Sequence, residues 1–134
     1  MRILQFIWLF LALISSPFAV AAQDDGTEPL KRIESALASA DTRGLLQYAN
    51  GSLALRLGRE GMDYSVGQAR YVLEDFLREH PARGFRFTNI SPGLNSASAT
   101  GTYRDRSGND IRVYARLRKN GNRWELRELR LSQD

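Results

Sequence analysis

The chain has 134 residues, no cysteine, 19 Lys+Arg against 15 Asp+Glu and a formal charge of +4, which is room for one domain behind a leader segment. The missing thiols exclude disulfides, thiolate metal sites, thiol catalysis and a lipidated cysteine. The positive excess is mild, almost all arginine, and dispersed, whereas nucleic-acid binders gather their cations on one face, so a nucleic-acid partner is not expected.

Residues 1 to 22 have the pattern of a cleaved signal peptide. Arg2 supplies the positive end, Ile3 to Ile14 is almost wholly apolar, and Ala19-Val20-Ala21 or Val20-Ala21-Ala22 offers small residues for cleavage. The apolar core is shorter than the roughly 20 residues of a spanning helix and is interrupted by Ser15, Ser16 and Pro17. The expectation is therefore export to the periplasm or extracellular space, no membrane span after cleavage, and a single domain of residues 23–134.

Within that domain Thr27-Glu28-Pro29 opens a helix, with Thr27 as its cap and Pro29 in the first turn, where no donor is needed. Leu30, Ile33, Leu37 and Ala40 share one helical face, with Lys31 and Glu34 on the other. Asp41 caps a short second helix through Leu45, Leu46 and Tyr48, closed by Asn50-Gly51. Ser52 to Leu57 alternates as a strand, Gly58 to Gly61 turns, and Met62 to Tyr64 returns. Ser65 and Gln68 form a capping box that starts a long third helix, with Val66, Ala69, Leu73, Phe76 and Leu77 on its buried face and Pro81 ending it near His80.

Strands are then predicted at Phe85 to Phe87, Ala97 to Tyr103 and in the hairpin from Ile111 to Leu131. In that hairpin Ile111, Val113, Ala115 and Leu117 alternate with Arg112, Tyr114, Arg116 and Arg118, and Asn120-Gly121-Asn122 makes the turn. Trp124 and Leu126 have one parity, Leu129 and Leu131 the other, which predicts a bulge near Arg127-Glu128. Helices ahead of a strand meander argue for an α+β domain: a curved antiparallel sheet of about six strands wrapped around a long helix, with two N-terminal helices.

The run EGMDYSVGQARYVLEDFLREHPARGFRF, with the strands IRVYARL and WELRELRL, resembles domain-of-unknown-function family 4783, within the nuclear transport factor 2-like (cystatin-like) cone-fold superfamily. The likeness extends over nearly all of residues 23–134. It implies the cone fold, and it brings no established reaction or catalytic residues. The wider fold includes isomerases, dehydratases and binding domains, so fold alone does not assign chemistry.

By parity, Tyr48, Leu55, Phe76, Phe87, Tyr103, Val113, Ala115 and Trp124 face a cone cleft, of which Tyr48, Phe76, Phe87, Tyr103 and Trp124 are the ligand-binding candidates; the competing reading makes them core. No catalytic set is evident. Ketosteroid-isomerase-like members of the fold pair a Tyr donor with an Asp base, and the nearest counterparts are Asp63, Tyr64 and Asp75. Asp63 and Tyr64 are neighbours on a strand and point to opposite faces, and Asp75 is on the polar side of its helix. The lone histidine, His80, has too few ligands around it for a metal and is expected to meet the helix-terminal carbonyls. No metal and no cofactor are expected.

The opposite sheet face collects Arg112, Tyr114, Arg116, Arg118 and Arg127, with Arg123, Glu125, Arg86 and Arg104 nearby. It is either a solvated face or an interface for an anionic partner, and pairing of two copies is one form of the latter. The leading expectation is a non-enzymatic exported module of the cell envelope that binds a protein or small molecule through its cleft or its outer sheet face. The alternative is a small cofactor-free isomerase or lyase using Asp63, Tyr64 or Asp75 in the cleft.

Overall fold

The computed structural model describes residues 24–133, so the expected signal peptide and its cleavage site lie outside the described residues. Helix α1 spans Thr27–Ala38. Its cap is Gly26 (φ 86°) rather than Thr27, and the Asp25 carboxylate accepts the Thr27 N–H at 3.0 Å. A side chain could not stand at Gly26, since its Cβ would come within 2.5 Å of Ala97 Cβ. Leu30, Ile33 and Leu37 turn inward together with Ala36. Ala40 leaves the apolar stripe: it is exposed and takes φ 54°, where the helix has already ended. Asp41 then caps α2, Thr42–Leu46, by accepting the Gly44 N–H at 2.9 Å. Tyr48 falls beyond that helix, and its carbonyl accepts the Leu126 N–H at 2.8 Å.

Strands β1 (Ser52–Leu57) and β2 (Glu60–Ser65) form the first hairpin. Ser65 Oγ accepts the Gln68 N–H at 3.3 Å and starts α3, Val66–Glu79, which ends at His80 before Pro81. Ala69, Leu73 and Leu77 are buried, with Val66, Val72 and Phe76 packed partly against them. Among the described residues, no helix is long and apolar enough to cross a membrane.

Phe85 to Phe87 is not a strand. The Phe87 N–H is taken by the Glu34 carboxylate at 2.7 Å, so this peptide never reaches a neighbouring strand, and Glu34 turns toward the domain rather than into solvent. The strand of this region is β3, Asn89–Ser91, followed by β4 (Ser96–Arg104), β5 (Asp110–Asn120) and β6 (Arg123–Gln133). The β5–β6 turn is Gly121-Asn122, with Gly121 at φ 62°. Arg116 pairs with Glu128 and Leu117 with Leu126, so Arg127 is the extra residue of a bulge. That one residue returns Leu129 and Leu131 to the same buried face as Trp124 and Leu126.

The six strands make one curved sheet in the order β2-β1-β6-β5-β4-β3. Every pairing is antiparallel except β1 with β6, where Leu55 and Leu57 run alongside Leu129 and Leu131. The connectivity requires this: α3 carries the chain from β2 to the far edge, and the meander walks back until its fourth strand arrives beside β1 in the same direction. The concave side is packed solid. Phe85 stacks edge-on against Phe87 and Tyr103 at 5.1 and 6.0 Å, and a Cβ at Gly101 would lie 2.8 Å from the Phe85 ring and 2.7 Å from the Arg86 carbonyl. Only glycine fits there.

Candidate functional site

Leu55, Phe87, Tyr103, Val113, Ala115 and Trp124 are all buried in one cluster with Leu73 and Leu77. Phe76 is half-buried at the end of α3, its ring 4.7 Å from His80, and Tyr48 is half-buried at the other end. The cone is thus filled by the side chains that parity turns inward. Asp63 is exposed on β2, Tyr64 is half-buried beside Leu53, and Asp75 is exposed and bonded to Arg78 at 3.1 Å. These three do not converge on a buried cleft, and neither carboxylate has the burial that tunes such a group for proton transfer.

Among the described residues, a tight cluster of titratable groups from distant parts of the chain forms at the C-terminal end of α3. His80 Nδ1 lies 2.6 Å from Asp105 Oδ2, and the Asp105 carboxylate is shut away from solvent. Its other oxygen accepts the N–H groups of Ser107 and Asn109 at 3.0 and 2.8 Å. The Tyr103 hydroxyl donates to the His80 carbonyl at 2.8 Å, and burial, with the Asp105 charge behind it, pushes that phenol upward. His80 therefore meets a loop carboxylate 25 residues away instead of the helix-terminal carbonyls. The Asp-x-Ser-Gly-Asn loop signals a self-bonded aspartate, but nothing local points to the histidine.

Because the phenol is committed to a backbone carbonyl, this group works as a staple between α3 and the β4–β5 turn. The His80 hydrogen bond, aided by Asn109 and Ser107 and opposed by burial, holds the Asp105 carboxyl below the usual carboxylate range. A lowered folded value stabilises the domain above the unfolded value of about 4 and loses that stabilisation as pH falls through the folded one. Thermal unfolding followed across acidic pH should show a midpoint that falls steeply toward acid. Asp105→Asn should lower the midpoint at neutral pH and flatten that acid slope; an unchanged slope would show that the pair contributes nothing.

The outer sheet face is a different environment. On β5, Arg112, Tyr114, Arg116 and Arg118 point away from the core and alternate with the buried Ile111, Val113, Ala115 and Leu117. Across the sheet Tyr114 is flanked by Thr100 and Arg130, and Arg130 by Arg56 of β1. The Arg130 guanidinium lies over the Tyr114 ring at 5.1 Å, and Glu128 is shared between Arg116 and Arg130. Next to them Ala54, Arg56, Met62, Asp63, Glu128 and Arg130 line a surface cavity of about 270 Å³. Arg127, the bulge residue, is exposed and 3.8 Å from Glu125.

Glu125 does not belong to the solvated face. It is 6% exposed, it accepts from Asn120 Nδ2 at 2.6 Å, and that bond, seconded by Asn50 and by the charges of Arg127 and Arg123, holds its carboxyl below the usual range against burial. It forms part of a second cavity, of about 410 Å³, together with Arg32, Tyr48, Asn50, Asn120, Arg123 and Trp124. Trp124 is 6% exposed and its indole N–H is buried with no acceptor, an arrangement that costs about 1–3 kcal/mol.

Residues 30–132 match the model of a protein family described as domain of unknown function DUF4783. The chain belongs to the DUF4783 family. A DUF4783 protein of known structure from Bacteroides ovatus superposes with a TM-score of 0.70 at 17% identity, over 77% of this chain and 93% of that one. A protein of unknown function with a cystatin-like fold from Nostoc punctiforme gives 0.61 at 20% identity, over 82% and 89%. An NTF2-like protein of unknown function from Pseudomonas putida gives 0.63 at 15% identity, over 84% and 86%. At such identities the likeness fixes the fold alone. No curated protein matches. What this DUF4783 domain does must therefore be argued from its own side chains.

Proposed function

We propose that this DUF4783 protein is a non-enzymatic binding module of the cell envelope that holds an acidic protein segment on its outer sheet face. The observation that carries the reading is the group of Arg56, Arg112, Arg116, Arg118 and Arg130 around Tyr114 on three adjoining strands, next to a surface cavity, while the concave side is filled. Arginine forks grip carboxylates in pairs and stack on aromatic rings, so this face suits an acidic, partly aromatic segment. A twofold pairing of the same face would set arginines against arginines, with Glu128 and Asp63 as the acids at hand, which favours a different partner over a second copy. The signal-like residues 1 to 22 and the lack of cysteine support export.

Arg56 and Arg118 are exposed and have no ion-pair partner among the described residues. Arg56→Glu combined with Arg118→Glu should therefore leave stability within about 0.5 kcal/mol. The chain from Gln23 onward should capture an acidic protein from envelope extract, release it as ionic strength rises, and lose at least about tenfold in affinity in the double variant, equivalent to about 1.4 kcal/mol. Equal capture by both forms would refute the outer-face reading.

A further inference from the structure

We infer that two copies of this chain pair through the β2 edge, strand against antiparallel strand, on a twofold axis at Met62. This pairing does not rest on the outer-face reading, and it uses the edge of the sheet rather than its arginine face. The two ends of the sheet are guarded differently. β3 has three residues and runs into Pro92, the short, proline-stopped form of a protected edge. β2 has six residues, no proline, no lysine and an unbroken register with β1, and all but Tyr64 are exposed. Met62 shares the concave side with its buried partner Leu55, yet it is 61% exposed, a large apolar side chain left in solvent.

The backbone fixes which residues bond outward. The Gly58 N–H goes to Leu131 of β6, so the even-numbered residues of β1 bond toward β6, and Leu53, Leu55 and Leu57 bond toward β2. Their partners Tyr64, Met62 and Glu60 bond back into the hairpin, which leaves the amide and carbonyl groups of Gly61 and Asp63 pointing to the open side. Antiparallel pairing of two such edges must match odd-numbered residues with odd-numbered ones. With the twofold axis at Met62, Gly61 lies opposite Asp63 of the second copy, Met62 opposite Met62, and Glu60 opposite Tyr64. No acid meets an acid, the exposed methionine covers its own copy, and the Tyr64 hydroxyl faces a carboxylate. An axis at Asp63 would oppose two carboxylates, and one at Gly61 would set Met62 against Glu60.

Charge complements this register. Gly61 is paired with Arg56 within the hairpin, and its missing side chain leaves room for Arg56, whose Cβ and Cγ would stand 3.3 Å from a Cβ there. Asp63 of the second copy comes next in the same row, on the far side of Gly61. Two strand spacings are about 10 Å, a gap that an arginine and an aspartate side chain close together when no side chain stands between them. Arg56 and Asp63 are exposed, and neither has an ion-pair partner among the described residues. Both line the surface cavity of about 270 Å³, so the incoming carboxylate arrives at a hollow; Glu128, the other acid there, is already held by Arg116 and Arg130. The twofold axis makes the Arg56–Asp63 pair twice.

The chain from Gln23 onward keeps every described element. Its sedimentation equilibrium between about 5 and 500 µM should show monomer and dimer with a Kd of about 100 µM or tighter. Arg56→Asp and Asp63→Arg should each weaken the dimer at least about tenfold, and the two together should restore it to within about threefold. Arg118→Glu, on β5 and three strands from β2, should leave it unchanged. Met62→Cys places the chain's only thiol at the axis, where antiparallel partners that share no hydrogen bond have Cα atoms about 4.5 Å apart. It should form a disulfide-linked dimer in air much faster than Tyr71→Cys, a site just as exposed but on α3. Since all these positions are exposed, the variants should keep the parent circular dichroism. A monomer at every concentration overturns the inference. So does an equal loss in Arg118→Glu, no recovery in the double variant, or cross-linking no faster at Met62 than at Tyr71.

Discussion

Trp124→Ala is expected to cost about 3–5 kcal/mol of folding stability, the range for deleting a large buried aromatic side chain. The indole is wedged where β6 begins. Its ring edge would lie 3.4 Å from a Cβ at Gly26, the cap of α1, and Lys119 Nζ stands 5.6 Å from the ring centre. Removing it opens a void between the first helix and the last strand that neither backbone can close, because Leu126 is tied to Tyr48 and Gly93 to Asp25. Trp124→Phe separates packing from polarity. It keeps most of the contact and removes the unpartnered N–H, so its loss should be well under half of that for alanine. Urea unfolding followed by far-ultraviolet circular dichroism measures both. A cost below about 1 kcal/mol for Trp124→Ala would mean that the side chain is not part of the core.

The second large effect is expected at Leu73→Ala, about 2–5 kcal/mol. Leu73 is fully buried at the middle of α3, in one cluster with Leu55, Val113, Leu117 and Leu129 from the concave side of the sheet. Tyr71, two residues earlier, is 69% exposed, and Tyr71→Ala should change stability by no more than about 0.5 kcal/mol. The contrast tests the filled cone itself: if the concave side held solvent, shortening Leu73 would be nearly harmless. Binding at the outer face should survive Leu73→Ala below its unfolding midpoint, because β5 presents Arg112, Arg116 and Arg118 on the side away from α3.

A filled cone changes where function can reside. Six of the eight residues that parity directs inward are buried in the core, and the two at its ends, Phe76 and Tyr48, differ in setting: Phe76 stacks on His80, while Tyr48 lines the cavity beneath Trp124. Binding is left to the rim and to the outer face. The outer face is rich in arginine and the rim is mixed in charge, with Arg32 and Arg123 among Glu125, Asp24, Asp25 and Glu28.

That hairpin shows how far local pattern reaches. The alternation from Ile111 to Leu117, the Gly121 turn and the parity change that demands a bulge all concern residues adjacent in the chain, and the structure has each of them, with Arg127 as the extra residue. The Asp41 and Ser65 caps are legible for the same reason, since each satisfies an amide three residues on. Phe85 to Phe87 misleads because its alternation is sound, yet its amide is claimed by Glu34, a residue 53 positions earlier that helical periodicity assigns to solvent. Glu125 misleads likewise: strand parity makes it a surface residue, and Asn50 and Asn120 enclose it.

The amino-acid order alone therefore determined the three helices, the first hairpin and the β4 to β6 strands, the Asp41 and Ser65 caps, the buried face of β5 and its cationic one, because these follow from backbone geometry and from apolar spacing along a few residues. Tertiary structure alone decided that β1 runs parallel to β6, that His80 closes on Asp105, that the cone is full, and that Arg32, Tyr48, Arg123 and Trp124 border one cavity. Each of those is a meeting of segments tens of residues apart, and its free energy depends on where the whole chain has placed them, which no local period encodes.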